Sequence, residues 1–191
     1  TADYGGGMSN HGLYADAVMT GCTFTDNTAE IDGGGIYNDQ NSSPTLNIVT
    51  FSGNSAGVHG GGMANILSYY IPTVTSMIDC TFSGNSAAIG GGMYNNGSDP
   101  ILIGCAFTEN TASQSGGGMY SESSTGSHMT ACTFSGNTAA VYGGGIYQAS
   151  SGLTLINSSV TGNTASLGGG IFNTDGSPIL DYCTFTGNSA E

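Results

Sequence analysis

The sequence repeats itself, and this repetition limits the possible folds more than any other feature of the chain. The phrase CTFSGNSAAIGGGMYN at 80–95 occurs in seven related copies, at a spacing of about 26 residues. A fixed period of this length indicates a solenoid, in which every repeat is one copy of the same supersecondary unit. Residues are therefore best compared by column, that is, by their equivalent positions in successive repeats.

Each repeat contains the same series of apolar and small residues. A mostly aromatic column comprises Phe24, Phe51, Phe82, Phe107, Phe134, Val160 and Phe185. Three residues later every copy has Asn, at Asn27, Asn54, Asn85, Asn110, Asn137, Asn163 and Asn188. Two residues after each Asn comes Ala, the last being Ala190. Glycine triplets begin at positions 5, 33, 60, 90, 116, 143 and 168, and each is followed by Met or Ile, as at Met8.

The composition favours strands over helices. The chain has 34 glycines and many Ser, Thr and Asn residues, and its β-branched and aromatic residues occur in short runs. Apolar residues alternate with polar ones inside each run, which points successive side chains to opposite faces of a strand. We predict an all-β fold, a right-handed parallel β-helix of about seven rungs with about three strands each. Residues 1–191 would form a single domain without caps.

The invariant Asn column and the glycine triplets are predicted to be structural. Asn tolerates left-handed backbone and satisfies main-chain groups at turns, so Asn27 and its equivalents should point inward at a corner and bond adjacent rungs. The triplets would permit positive φ where the chain turns. The five cysteines share one column with Val49 and Ser158, so we expect free, buried thiols: Cys22, Cys80, Cys105, Cys132 and Cys183.

The charge balance excludes several partners. The chain has 13 carboxylates and no Lys or Arg, for a formal net charge of −13. Binding to nucleic acid or to anionic membranes requires cationic side chains, so neither is expected. No apolar run is long enough to span a bilayer. A chain that begins at Thr1 and is rich in Ser, Thr, Asn and Gly is predicted to be extracellular or on the cell surface.

The sequence does not predict an enzyme or a cofactor. Its three histidines, His11, His59 and His128, are not expected to share a face, and no Lys or Arg is present to act as a base. One group of acidic residues, Asp26, Glu30, Asp32 and Asp39, is dense enough to bind Ca²⁺ weakly. Because the Ca²⁺-binding nonapeptide pattern is absent, we expect these four side chains to be solvated instead.

The motifs Gly-Gly-x-[Ile/Met] and Phe-x-x-Asn resemble the repeats of chlamydial polymorphic membrane proteins. They are also similar to those of bacterial right-handed parallel β-helix repeat proteins found on cell surfaces. The resemblance covers essentially the whole chain and implies surface display, with adhesion as the usual role. The third triplet position is Gly, where the chlamydial motif usually has Ala.

The ends of the repeat array predict self-assembly. If a second copy followed Glu191, its Gly5 would lie 28 residues after Gly168, within the internal range of 25 to 30. A head-to-tail filament of identical subunits is therefore the predicted function, since an open end-to-end contact yields fibres. The predicted stacking interface is Tyr4, Gly5, Met8, Leu180, Cys183, Phe185, Asn188 and Ala190.

Three other interpretations remain open. The chain could be an excerpt of a longer surface adhesin or autotransporter-like passenger. It could bind ice, because Thr and Ser flank the Phe column in the Thr-x-Thr manner of insect β-helical antifreeze proteins. Loops could mediate lateral contacts, with Tyr69, Tyr70 and Ile71 the main candidates. Glycans could occupy Asn41, Asn96 and Asn157.

An aromatic column that follows the Met/Ile column is expected to stack: Tyr37, Tyr94, Tyr120, Tyr147 and Phe172.

Overall fold

The chain folds into four parallel sheets that wind around one axis. The structure is a computed structural model and describes residues 2–12, 15–39, 42–66, 74–123, 126–149 and 152–191. Strands β1 to β29 are numbered in chain order, and consecutive strands belong to successive sheets A, B, C and D, so every turn visits all four sheets once. The predicted loop contact at Tyr69, Tyr70 and Ile71 lies outside the described residues.

Sheet A has eight strands and sheet B has seven. Sheet A contains β1 (Ala2–Tyr4), β5 (Thr28–Asp32), β9 (Ser55–Ala56), β13 (Ser86–Ile89), β17 (Thr111–Ser115), β21 (Thr138–Ala139), β25 (Thr164–Ala165) and β29 (Ser189–Ala190). Sheet B contains β2 (Met8–Asn10), β6 (Ile36–Asn38), β10 (Met63–Ile66), β14 (Met93–Asn96), β18 (Met119–Glu122), β22 (Ile146–Ala149) and β26 (Ile171–Thr174).

Sheets C and D also have seven strands each. Sheet C contains β3 (Val18–Thr20), β7 (Thr45–Asn47), β11 (Ser76–Ile78), β15 (Ile101–Ile103), β19 (Gly126–Thr130), β23 (Gly152–Ile156) and β27 (Ile179–Asp181). Sheet D contains β4 (Thr23–Thr25), β8 (Thr50–Ser52), β12 (Thr81–Ser83), β16 (Ala106–Thr108), β20 (Thr133–Ser135), β24 (Ser159–Thr161) and β28 (Thr184–Thr186). Seven strands per sheet give six steps between turns, each of about 27 residues.

Each turn has four strands rather than the predicted three, because of a corner that the sequence pattern concealed. The residue before the Cys column has left-handed backbone in every turn, as at Gly21 with φ 64° and Ala131 with φ 55°. This corner divides one apparent run, such as 19–25, into a sheet C strand and a sheet D strand. At this corner Ile48 has φ 54°, a conformation that is rare and strained for a β-branched residue.

Two further left-handed corners recur in every turn, while the connection from sheet B to sheet C varies in length. The first glycine of every triplet has positive φ, for example 68° at Gly33, as predicted. The other corner lies at the residue before the Asn column, such as Asp26 or Gly53. The sequence analysis expected the Asn residue itself to have left-handed backbone at this corner. Instead the preceding residue has that conformation and makes the turn, and the Asn side chain bonds across turns.

The core consists of inward columns that stack like on like. Phe51, Phe82 and Phe107 are fully buried, with successive ring centroids 4.5 and 4.7 Å apart. Three residues before the Cys column every turn has Leu or Met, and buried members of this Leu/Met column, such as Leu46 and Met77, pack in the same cluster. A separate small cluster of alanines lies inside sheet A. Burial of these columns supplies the main stabilisation.

The Asn column forms a continuous hydrogen-bonded ladder. The main-chain N–H and the Nδ2 of Asn54 both donate to Oδ1 of Asn85, at 3.0 Å each. The Nδ2 of Asn85 also donates to the carbonyl of Phe51, at 3.1 Å. The same side-chain link recurs from Asn27 to Asn188. The predicted inward orientation and bonding of this column are therefore confirmed.

We predict that Asn110→Ala destabilises the fold far more than Asn188→Ala. At Asn110 the substitution removes the acceptor of two Asn85 donors and the donor to the Phe82 carbonyl, all in a fully buried setting. The cost should be roughly 3 to 5 kcal/mol. Asn188 makes the equivalent bonds at an accessible end, where water can replace them, so its loss should be about 1 kcal/mol.

Urea denaturation of dilute protein measures both free energies of unfolding. Equal losses for the two variants would contradict the ladder as described, because they would mean that burial of the amide network contributes nothing.

Candidate functional site

The apolar columns are open at the C-terminal end of the solenoid. Leu180 of β27 and Phe185 of β28 are 47% and 44% exposed, whereas Leu155 and Phe134 of the same columns are completely buried. The other predicted residues of this end are half-buried or exposed: Cys183, Asn188 and Ala190. Strands β27, β28 and β29 are also the last of their sheets. This end therefore presents apolar side chains together with a sheet edge.

The apolar columns are less exposed at the N-terminal end. Tyr4 of β1 is exposed, and its ring packs on Tyr37 with a centroid distance of 4.9 Å. Gly5 and Met8 are half-buried, and Met19 is already buried in the core. The structure thus places the eight predicted interface residues at the two ends of the axis, three at one end and five at the other.

The two ends of the Asn ladder have complementary hydrogen-bonding groups. Asn188 accepts from Asn163 and donates to the Val160 carbonyl at 2.8 Å. Within the described residues its main-chain N–H has no acceptor, although this group donates to Oδ1 of the next Asn in every earlier turn. At the other end, Oδ1 of Asn27 has no donor among the described residues. In the part of the chain that the structure describes, the ladder therefore ends in an N–H without an acceptor on one side and in an amide oxygen without a donor on the other.

The cysteine column distinguishes the interior from the ends. Within the structure all five cysteines are free; Cys80, Cys105 and Cys132 are buried, but Cys183 is half-buried and Cys22 is exposed. The expectation of five buried thiols is therefore wrong for the two end members, because each lacks a neighbouring turn on one side. A hydrogen bond with Cys132, together with burial, raises the pKa of Cys105 to about 12. A thiol with so high a pKa is protonated and unreactive at neutral pH.

A second polar ladder inside sheet B was missed by the sequence analysis. Nδ2 of Asn10 donates to Oδ1 of Asn38 at 2.6 Å, and the chain of bonds continues through Asn65 to Asn95 at 2.7 and 2.8 Å. The column continues with Ser121, so the buried Nδ2 of Asn95 has no acceptor among the described residues. The signal was present in the sequence, since these residues all lie two positions after the Met/Ile column.

Two His–carboxylate pairs lie outside the core near the N-terminal end. Nδ1 of His59 is 2.7 Å from Oδ1 of Asp32, and Nδ1 of His11 is 2.9 Å from Oδ2 of Asp39. Asp32 and Asp39 are buried, so the expectation that both are solvated is wrong. Each carboxylate bonds its histidine instead of water, and the hydroxyl of Tyr37 also donates a hydrogen bond to Asp39 at 3.4 Å. The pairs hold neighbouring turns together.

The outer face of sheet B carries the aromatic column, which is stacked as predicted from Tyr94 to Phe172. Tyr37 is separated from this stack by Ala64, so the prediction is wrong for that residue. The rings of Tyr94, Tyr120 and Tyr147 follow one another at 5.4 and 4.3 Å. Glu122 accepts hydrogen bonds from the hydroxyls of Tyr94 and Tyr120, at 2.7 and 3.1 Å. Burial and the nearby Glu122 carboxylate raise the pKa of both phenols well above the usual value. The rings stack mainly on one another.

The outer face of sheet D is covered by Thr and Ser. Thr81 and Ser83 lie in register with Ala106 and Thr108 of the next turn, with Phe82 pointing inward between them. Thirteen of the fourteen outward positions in the seven strands are Thr or Ser. The predicted array is therefore present as a regular two-column surface.

Among the described residues no group of three or more His, Cys, Asp or Glu side chains is placed to hold a metal ion, and no helix there is long and apolar enough to cross a membrane.

Comparisons with known proteins assign the family. Searches of curated proteins and of solved structures found no match. A family model described as "Right handed beta helix region" matches residues 15–190. The predicted fold is thereby confirmed, and the chain belongs to the right-handed β-helix family.

Proposed function

We propose that this protein is a non-catalytic structural protein of the cell exterior whose copies stack end to end into a β-solenoid filament. The observation that carries the proposal is the open C-terminal end, where Leu180 and Phe185 are nearly half exposed. Burying each side chain against a second copy would contribute roughly 1 kcal/mol. The sheet edge at this end would gain main-chain hydrogen bonds in the same step.

The Asn ladder supports a second copy as the occupant of this end. In a head-to-tail stack, the unpaired N–H of Asn188 would meet Oδ1 of Asn27 in the next copy, and Asn27 Nδ2 would reach the Phe185 carbonyl. Each turn inside the chain has this arrangement. Ala190 would then replace Ala2 of that copy as the strand partner of its Ala29. The contact is a translation along the axis with a small twist, so it does not close and produces a filament.

The extracellular location is supported by composition and by resemblance. The chain has no Lys or Arg and few charges of any kind, and its surface strands are rich in Thr and Ser. The motifs that resemble chlamydial polymorphic membrane protein repeats support surface display. An adhesin excerpt is the competing proposal, in which further polypeptide rather than a second copy covers the ends.

We expect Phe185→Asp to abolish filament formation. Stacking would bury the new carboxylate in an apolar seam without a partner, at a cost of several kcal/mol. Thr186→Asp is the matched control, because it adds the same charge to the same strand but on the outer face. Negative-stain electron microscopy and sedimentation velocity at several concentrations measure the outcome. Strictly monomeric wild-type protein would reject stacking and favour the excerpt.

Ice binding is a second candidate, carried by the Thr and Ser surface of sheet D. In-register rows of small hydroxyl side chains are spaced by the strand separation of about 4.8 Å. If this surface binds ice, the protein produces thermal hysteresis, and Thr81→Tyr removes it by obstructing the middle of the array. Thr111→Tyr, on the outer face of sheet A, should leave the hysteresis unchanged. Wild-type protein without hysteresis would reject this function.

A further inference from the structure

The corners of the solenoid follow one packing rule. Where a corner residue has a side chain and the equivalent residue of the next turn is Gly, the side chain lies over that glycine. A Cβ placed on Gly53, for example, would collide with Oδ1 of Asp26. Three pairs of consecutive turns show this arrangement: Asp26 with Gly53, Asp79 with Gly104, and Glu109 with Gly136. Corner side chains therefore lean toward the next turn, in the direction of the C-terminal end.

Corner glycines without such a neighbour are open. Apart from the adjoining chain, the described residues place no atom within 4 Å of a Cβ built on Gly84, Gly162 or Gly187. Each of these three follows a turn in which the equivalent residue is also Gly. Gly21, in the first turn, is open in the same way. Its backbone can therefore be covered by a corner side chain from a turn stacked before it.

Tyr182 is the matching side chain at the other end of the solenoid. It occupies the same corner as Gly21, between sheets C and D, and it is 83% exposed. Its left-handed φ of 50° is strained for a bulky aromatic residue. Within the described residues its main-chain N–H has no acceptor, whereas the N–H of Asn157, one turn earlier, donates to the Asp181 carbonyl at 2.9 Å. A strained and exposed ring contributes nothing to the isolated fold, which points to a contact outside the molecule.

The outer face of sheet C continues the match. Val18 and Ile179 occupy the same outward column, in the two end strands β3 and β27, and are 78% and 60% exposed. In the register of the Asn ladder, β27 of one copy would pair with β3 of the next, which places Ile179 beside Val18. Asp181 would lie beside Thr20, so these two strands bring no two carboxylates together.

We propose that Tyr182 is the outer anchor of the stacking contact, its ring seated on the backbone of Gly21 in the next copy, with Ile179 beside Val18. The partner is a second copy of this chain, and the inference rests on the stacking proposed above. The main-chain N–H of Tyr182 donates to the Thr20 carbonyl of that copy, as the N–H of the same corner does inside the chain. Tyr is one of the residue types that most often anchor protein interfaces.

A single tryptophan tests where the ring lies. The chain has no Trp, so Tyr182→Trp places one fluorophore at the anchor. Its emission should move to shorter wavelength when the protein assembles, because the indole leaves water. Asn157→Trp, at the same corner one turn inside the chain, should show no change on assembly. Sedimentation velocity measures assembly of the same samples, in about 0.15 M salt to screen Glu191 from Glu30 of the next copy.

Tyr182→Gly separates loss of the contact from loss of folding. Glycine relieves the left-handed strain, as at the equivalent Gly104, so this variant should melt at the same or a higher temperature. The concentration needed for assembly should nevertheless rise at least about fivefold, since the ring no longer buries its apolar area.

A charge pair tests the neighbouring contact on sheet C. Val18→Glu should raise the concentration needed for assembly several-fold, because the carboxylate lies against Ile179 of the other copy. Adding Ile179→Lys should recover that loss by placing opposite charges on neighbouring strands. Ile101→Lys, in the same outward column of an interior turn, adds the same charge away from the contact and should not recover it.

The outcomes separate the anchor from stacking itself. Wild-type protein that forms no filaments would reject stacking, and the anchor with it. Filaments of the Tyr182→Trp protein whose emission does not shift would overturn the anchor while stacking stands. Unchanged assembly of the Tyr182→Gly protein, or equal recovery by Ile179→Lys and Ile101→Lys, would also overturn it.

Discussion

The structure depends on parallel, in-register pairing of equivalent residues in successive turns. Each strand pairs with the equivalent strand of the next turn, so each side chain lies over the equivalent side chain. Phe therefore packs on Phe, and Asn bonds Asn. The Asn ladder is the most demanding case, since its five interior amides are fully buried and each needs the next for its hydrogen bonds. Any break in register would leave those groups unpaired.

Much of the fold could be predicted because a column of like residues in the sequence becomes a stack in space. The Phe and Asn columns, the inward Cys position and the Thr and Ser surface were all predicted in this way. The fourth strand was not, because the left-handed corner uses residues as different as Gly21 and Ala131. The His59–Asp32 pair was missed because a single contact between turns leaves no periodic signal.

The exterior and the ends carry what distinguishes this chain from a uniform solenoid. The inward positions are nearly invariant between turns, so they specify stability and fold without specifying a partner. The open C-terminal end and the Thr and Ser face of sheet D are two surfaces of different chemistry.

Cysteine alkylation tests the stacked arrangement and its continuation between copies most directly. With dilute monomer, iodoacetamide should modify Cys22 and Cys183 while Cys80, Cys105 and Cys132 stay protected, in line with their exposure. On assembly, Cys22 and Cys183 should become protected as well, except at filament tips. Rapid modification of Cys105 in the folded protein would contradict the stacked core. Equal reactivity of Cys183 in dilute and concentrated protein would contradict end-to-end assembly.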